Sequence, residues 1–379
     1  MSRAAASHWQ HDMKICYYGN QLGFISGSRK HVLGLAKRFM AEGHEVTVVT
    51  KGRDRRVTVL DGVRYEAVSL ERRETLASYF IEYPARSLLY FARHSDFDII
   101  HSMASYHFFA VLARLVGAVA RTPVVYGVVS PASRAINLLG FPRLICASRS
   151  IQEHLGERAV FIPHSLELAS FAAGTRYDYG QDGHFTVGSM GAPHARRGFE
   201  YLVRAIPLVL KRHPNSQFVL AIENPEVRYQ PMLQRRLREL RDLIERLGVA
   251  RNVKLVGEVD VPRFLNSLDV FVYAVQTTKG MIDIPPTVLE CLAAGCALVT
   301  TAKGGIPEVI HHGENGLLVS ADETSNPQAY AAKIVELIED EALRLSLQEN
   351  ARRSAEPYDV SQIAPQVLAV YEEVLSGKG

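Results

Sequence analysis

The residues best spaced to hold a charged small molecule lie between Lys279 and Gly316, in KGMIDIPPTVLECLAAGCALVTTAKGGIPEVIHHGENG. One carboxylate, Glu290, falls in a short predicted helix that the Pro285-Pro286 pair introduces and Gly295 ends. A β-branched run from Ala297 to Thr301 leads into the Gly304-Gly305 turn. The next helix is predicted to open with Pro307 and Glu308. Strand, glycine turn and helix N-terminus together present bare N–H groups to an anion such as a diphosphate. Thr287 to Glu290 also reads as a capping box, in which the carboxylate serves backbone donors instead.

Two further groups have chemical potential. Arg196 and Arg197 lie in VGSMGAPHARRGFEYL, and a guanidinium can grip two phosphate oxygens at once; an ordinary surface pair is the alternative. In DFDIIHSMASYH, His101 ends a predicted strand and His107 follows shortly after. A histidine there can position an acceptor hydroxyl or take its proton, the alternative being a satisfied core histidine.

Alternating strands and helices carry these residues. Lys14–Tyr18 reads as a strand, followed by a glycine-containing loop and a helix with Val32, Leu35, Ala36, Phe39 and Met40 on one face. Glu45–Thr50, Phe97–His101, Pro123–Val129, Leu144–Ala147 and Val160–Ile162 continue the strands. Periodicity fails around Ser165–Gly183, then the pattern restarts with His184–Met190 and a helix from Gly198 to about Lys211. Later strands are Gln217–Ile222, Val253–Gly257, Val270–Ala274 and Ala297–Thr301. Two such halves predict two doubly wound, Rossmann-like α/β domains facing across a cleft. The expected division is a leader at 1–12, domains at 13–170 and 171–357, and a C-terminal helix in 358–379. The arginines of the Leu233–Leu247 stripe read as a solvated helix face, with no ligand assigned.

Composition sets limits. The chain has 379 residues, 47% apolar and 22% charged, with a formal net charge of +3. That balance suits an anionic small molecule or lipid surface and falls short of a nucleic-acid footprint. Four cysteines, Cys16, Cys146, Cys291 and Cys296, form no metal or disulfide spacing. No apolar run is long enough to span a bilayer, and MSRAAASHWQHD lacks a signal-peptide core, so a cytoplasmic protein is expected. Arg72–His94 mixes arginines with aromatic residues and raises peripheral membrane contact as an option beside simple burial.

The segment Lys279–Val319 resembles the nucleotide-sugar motif of retaining glycosyltransferases of family 4, which have the GT-B fold. The resemblance implies that Glu290 receives the ribose hydroxyls and that amides around Asp283 and Ile284 face the donor. The first glutamate of the family's E-x7-E is absent, Ile282 standing there with Asp283 beside it. Arg197-Gly198 fills the family's K-G position, whereas Gly191 replaces the partner arginine, leaving Arg196 as a substitute. Ser26-Gly27 with His31 resembles G-G-x-x-x-H, bringing Gly27 near the donor phosphates, and DFDIIHSMASYH resembles D-x-V-H-x-H, with His101 and His107 on the acceptor side. IPHSLE stands where the family has I-P-N-G-V-D. By the same resemblance the chain would be a hexosyltransferase that uses a UDP-, GDP- or ADP-sugar, retains anomeric configuration and needs no cofactor or bound metal. Its acceptor would be a sugar, lipid or small molecule. His101 and Asp283 are then the catalytic candidates. A non-catalytic nucleotide-sugar-binding protein and a nucleotide-sugar epimerase are the alternatives.

Overall fold

The computed structural model describes residues 12–377 except 21, 23–26, 53–56, 71–76, 104–106, 173, 180–182 and 223–230. The leader expected at 1–12 lies outside the described residues apart from Asp12. Two compact units divide the chain: Met1–Ser165 with Val360–Gly379, and Leu166–Asp359. Each is a Rossmann-like α/β domain on a single sheet.

The first sheet comprises β1 (Lys14–Gly19), β2 (Glu45–Gly52), β3 (Val57–Leu60), β4 (Val63–Leu70), β5 (Ile99–Met103), β6 (Val124–Val128), β7 (Leu144–Cys146) and β8 (Ala159–Phe161). Their order is β3-β4-β2-β1-β5-β6-β7-β8. The order reverses at β1, which has β2 on one side and β5 on the other, both parallel to it. The edge hairpin β3-β4 is antiparallel and was not expected. Its Asp61-Gly62 turn has both φ values positive, 49° and 83°, as a tight hairpin turn with right-handed twist requires. The helix Val360–Leu375 belongs to this unit and packs on the helix Gly27–Ala41. It buries Ile363, Ala364, Val367, Leu368 and Tyr371 on one face.

The second sheet comprises β9 (Phe185–Gly191), β10 (Ser216–Ile222), β11 (Val253–Val256), β12 (Val270–Tyr273), β13 (Ala297–Thr301) and β14 (Leu317–Val319), in the order β11-β10-β9-β12-β13-β14. All neighbouring pairs are parallel. Every residue of β10 and β13 is buried, the signature of a parallel strand covered on both faces. The helix Phe199–Leu210 lays Leu202, Val203, Ile206 and Val209 onto this sheet beside Phe218, Leu220 and Val272. Each such side chain contributes about 1.5–3 kcal/mol by leaving water. Here the order reverses between β9 and β12, so their C-terminal ends open the crevice where α/β sheets bind ligands.

Two local expectations fail. No helix opens at Pro307: Ile306–Glu308 is one 3-10 turn. The chain then turns through a loop that Asn315, 2% exposed, clamps from inside. The Asn315 side chain accepts from His311 N (2.8 Å) and donates to Val309 O and Ser354 Oγ (both 3.0 Å). The Thr287–Glu290 capping box is absent as well. Pro285 is the N-cap of the helix Pro286–Ala294, without a side-chain cap bond, so Thr287 already lies inside the first turn. The two prolines, with φ fixed near helical values, start the helix before the threonine can cap it.

Candidate functional site

The loops after β9 and β12 meet where the second sheet reverses. β9 ends at Gly191, whose φ of 135° is a conformation that other L-residues rarely adopt. This is the position where the family's partner arginine is missing, and its backbone explains the glycine. A Cβ there would stand 3.5 Å from Arg197 Nε, so the Arg197 side chain runs directly past it. Ala195–Arg197 form a 3-10 turn closed by Gly198 at φ 63°. A Cβ on Gly198 would strike the carbonyl oxygen of Ala274, just beyond β12, so only glycine lets the two loops approach. Gln276 N–H donates to Arg196 O (2.9 Å) and fastens them.

The two arginines separate here. Arg197 sets its guanidinium carbon 5.1 Å from the ring centroid of Tyr273, the last residue of β12, which fixes a cation at the reversal point. Arg196 turns instead to the loop beyond β12 and donates through one terminal nitrogen to Lys279 O (3.0 Å) and Gly280 O (3.1 Å). Its expected grip on phosphate thus competes with a loop clamp that it already forms. Beside them, His194 is pushed down from its ordinary pKa by burial and by the charges of Arg196 and Arg197.

Asp283 and Ile284 are each 1% exposed. Asp283 Oδ1 accepts from Thr278 Oγ1 at 2.7 Å. A Cβ on Gly304, at φ 55°, would strike Thr278 Oγ1 and lie 2.5 Å from Asp283 Oδ1. The aspartate and Thr278, both in the loop after β12, therefore pack directly against the glycine turn. Glu290, 5% exposed, lies on the following helix among buried Val288, Leu289, Cys291 and Leu292. Burial raises the Cys291 thiol well above its usual range, and the neighbouring Cys296 and Glu290 add to the effect.

In the first unit, Gly27 opens the helix Gly27–Ala41, while Ser26 lies outside the described residues. His107 opens the helix His107–Ala120, and its side chain is likewise outside the described set. His101 is 1% exposed on β5. The Tyr371 hydroxyl donates to Tyr17 Oη (3.1 Å), which leaves its oxygen to accept from His101 Nδ1–H (2.7 Å). His101 Nε2 is buried and has no hydrogen-bond partner among the described residues. Burial, then the nearby His164, lowers its pKa to about 3. Such a ring is a weak base sealed in the core, closer to a core histidine than to a proton acceptor.

Sequence reasoning named His31 only as part of a loop motif and missed the groups around it. His31 and His164 join His101 in a buried cluster, with the rings of His31 and His164 4.6 Å apart. His31 Nδ1 accepts from Ser165 N (2.9 Å). Gln276 donates to Ala274 O (2.8 Å) and Thr324 O (2.7 Å), bracing the loop after β12. The H-S of IPHSLE was visible as a departure from the family motif; nothing marked Gln276. A cavity of about 300 Å³ lies elsewhere in the second unit, between His194, Phe199, Arg204 and Arg236, and none of the expected donor residues lines it.

Comparisons with known proteins agree with this architecture. Residues 183–340 match the family described as glycosyl transferases group 1, and residues 25–168 match glycosyltransferase family 4. The chain is 26% identical to the phosphatidyl-myo-inositol mannosyltransferase of Mycobacterium tuberculosis, over 93% of this chain and 94% of that protein. It is 24% identical to the GPI3 subunit of the Saccharomyces cerevisiae phosphatidylinositol N-acetylglucosaminyltransferase, over 93% and 81%. Among solved structures, sucrose-phosphate synthase from Thermosynechococcus elongatus superposes with a TM-score of 0.78 at 18% identity, covering 96% of this chain and 100% of that one. Anabaena HepE in complex with UDP and glucose gives 0.74 at 17% identity, covering 95% and 99%. With one family model on each half and this sheet order in both units, the chain is a GT-B-fold glycosyltransferase related to family 4.

Proposed function

We propose that this protein transfers a sugar from a nucleotide-diphosphate donor to an acceptor hydroxyl, with retention at the anomeric carbon and without a bound metal. The observation that carries the reading is the β9/β12 reversal point, where glycines bring two loops together and Arg197 is held over Tyr273. A guanidinium fixed there neutralises a leaving diphosphate without reorganising during reaction. Glu290 accepts the ribose hydroxyls from its buried helix. Asp283, bonded to Thr278 beneath Gly304, acts as a positioning residue that shapes the loop around the donor sugar. Arg196 holds that loop closed through the carbonyls of Lys279 and Gly280.

Retention rests on the family resemblance. The acceptor oxygen forms its bond to the anomeric carbon on the face from which the diphosphate departs. A donor phosphate oxygen takes the hydroxyl proton, so no protein nucleophile is required. Support for the donor class comes from Anabaena HepE, solved with UDP and glucose. The relatives named for phosphatidylinositol lipids favour a lipid-linked hydroxyl as acceptor.

The test begins with thermal unfolding against a panel of UDP-, GDP- and ADP-sugars, since a ligand that binds only the folded form raises the melting temperature. The stabilising donor is then incubated with excess enzyme and phosphatidylinositol, and free nucleoside diphosphate is measured. Stabilisation by one donor with diphosphate release is expected. Stabilisation without release in any acceptor series would leave a binding protein, and no stabilisation by any donor would end the proposal.

A further inference from the structure

The helix His107–Ala120 is apolar all round yet only half covered. Phe109, Ala110, Leu112, Ala113 and Val116 are buried in the first unit, as expected for a helix on a sheet. Phe108, Val111, Leu115 and Val119, at 39%, 45%, 49% and 41% exposure, form a second stripe on the outward side. Their spacing of three and four residues keeps them in one row about 16 Å long. The row continues sideways. Phe80 packs edge to face on Phe108 with centroids 5.0 Å apart, and Phe80 and Ile81 are 50% and 68% exposed. At the other flank, Arg114 Nε donates to Leu139 O (3.1 Å), next to Leu138 at 86% exposure. An ordinary solvated helix carries polar residues on its outer side; this one carries only Arg114 there, beside the small Ala118.

Charge identifies the occupant. Residues 78–94 and 107–121 hold four arginines, Arg86, Arg93, Arg114 and Arg121, against one carboxylate, Glu82. Glu82 is already paired with Arg86 at 2.9 Å. These two segments alone carry a formal charge of +3, equal to the net charge of the whole chain. A second copy docked symmetrically on this face would bring the same cations against each other. No helix among the described residues is long and apolar enough to cross a membrane. An apolar row rimmed by arginines fits a surface that offers hydrocarbon beneath a layer of negative charge. We propose that the first unit docks on anionic lipid through Phe80, Ile81, Phe108, Val111, Leu115 and Leu138, with Arg93 and Arg121 engaging the headgroups. Such docking goes beyond the donor chemistry and requires no nucleotide.

The experiment uses the full chain and sedimentation with vesicles of phosphatidylcholine, with and without phosphatidylglycerol. Partition onto the anionic vesicles, weakening with salt, is the expected result. Val111→Gln with Leu115→Gln should lower partition about tenfold or more, with circular dichroism and nucleotide affinity unchanged. Arg93→Gln with Arg121→Asn, the latter tolerating the positive φ of 56° at that position, should remove most of the salt-dependent part. Wild-type protein left in the supernatant would overturn the inference. So would unchanged partition in both variants, or a wild-type dimer that the glutamine variant dissolves.

Discussion

Acid should unfold the first unit through its buried histidines. His164 is 4% exposed, its Nε2 has no hydrogen-bond partner among the described residues, and burial lowers its pKa to about 4. His101 is lowered to about 3, and His31 well below its ordinary value, first by burial and then by His164 and His101. An unfolded histidine binds its proton near pH 6.5. Between that pH and the folded pKa, the unfolded chain holds a proton that the native chain refuses. Stability is therefore full at pH 7 and falls as pH drops. At pH 4 the loss is about 3 kcal/mol for His164 and a similar amount for His101. Together these approach the entire stability of an ordinary domain, about 5–15 kcal/mol. His164→Phe keeps an aromatic ring and removes one titrating site. Its stability at pH 7 should equal or exceed that of wild type, because a buried orphan nitrogen is gone. Its slope between pH 6 and 4.5 should be shallower by about 1 kcal/mol per pH unit. Pulse-labelled hydrogen exchange along a urea titration separates peptides of β1 and β5 from those of β12 and β13. Parallel pH slopes for wild type and His164→Phe in the first unit would refute the buried neutral histidine.

Other substitutions probe the second unit. Gly198→Ala forces a Cβ into Ala274 O at φ 63°; urea unfolding should show a loss of about 2–4 kcal/mol, with donor affinity falling too. Asn315→Ala removes two hydrogen bonds inside the 309–316 loop and a third to Ser354. It should cost about 2–3 kcal/mol of stability while calorimetry finds donor affinity retained, marking that motif as scaffold. Arg196→Ala should weaken donor binding less than Arg197→Ala, because its guanidinium serves the Lys279 and Gly280 carbonyls.

The α/β alternation and most strands were legible because parallel strands buried on both faces read as short β-branched runs, as in β12 and β13. The β3-β4 hairpin was legible too, since Asp61-Gly62 sits between alternating residues in VTVLDGVRYEA, yet the βαβ pattern around it drew attention away. Spacing alone could not distinguish Arg196 from Arg197. Which of the two crosses Gly191 toward Tyr273 depends on a φ of 135° that no side-chain pattern encodes. Nor could local sequence foresee the His31–His101–His164 cluster, whose members meet only once the helix Gly27–Ala41, β5 and the segment after β8 are assembled. The Thr287 capping box misled because two prolines moved the helix start upstream. The outward apolar row of His107–Ala120 could not be told from its covered side, since hydrophobicity does not reveal which side is packed.

Calorimetric titration with one nucleoside diphosphate and its parent nucleoside, on wild type, Arg197→Ala and Glu290→Ala, probes the donor site most directly. Arg197→Ala should weaken the diphosphate about tenfold to a hundredfold and leave the nucleoside unchanged. Glu290→Ala should weaken both by similar factors, because both carry the ribose. Equal losses of the two ligands with Arg197→Ala, or unaltered affinities with Glu290→Ala, would contradict a nucleotide held at the β9/β12 reversal point.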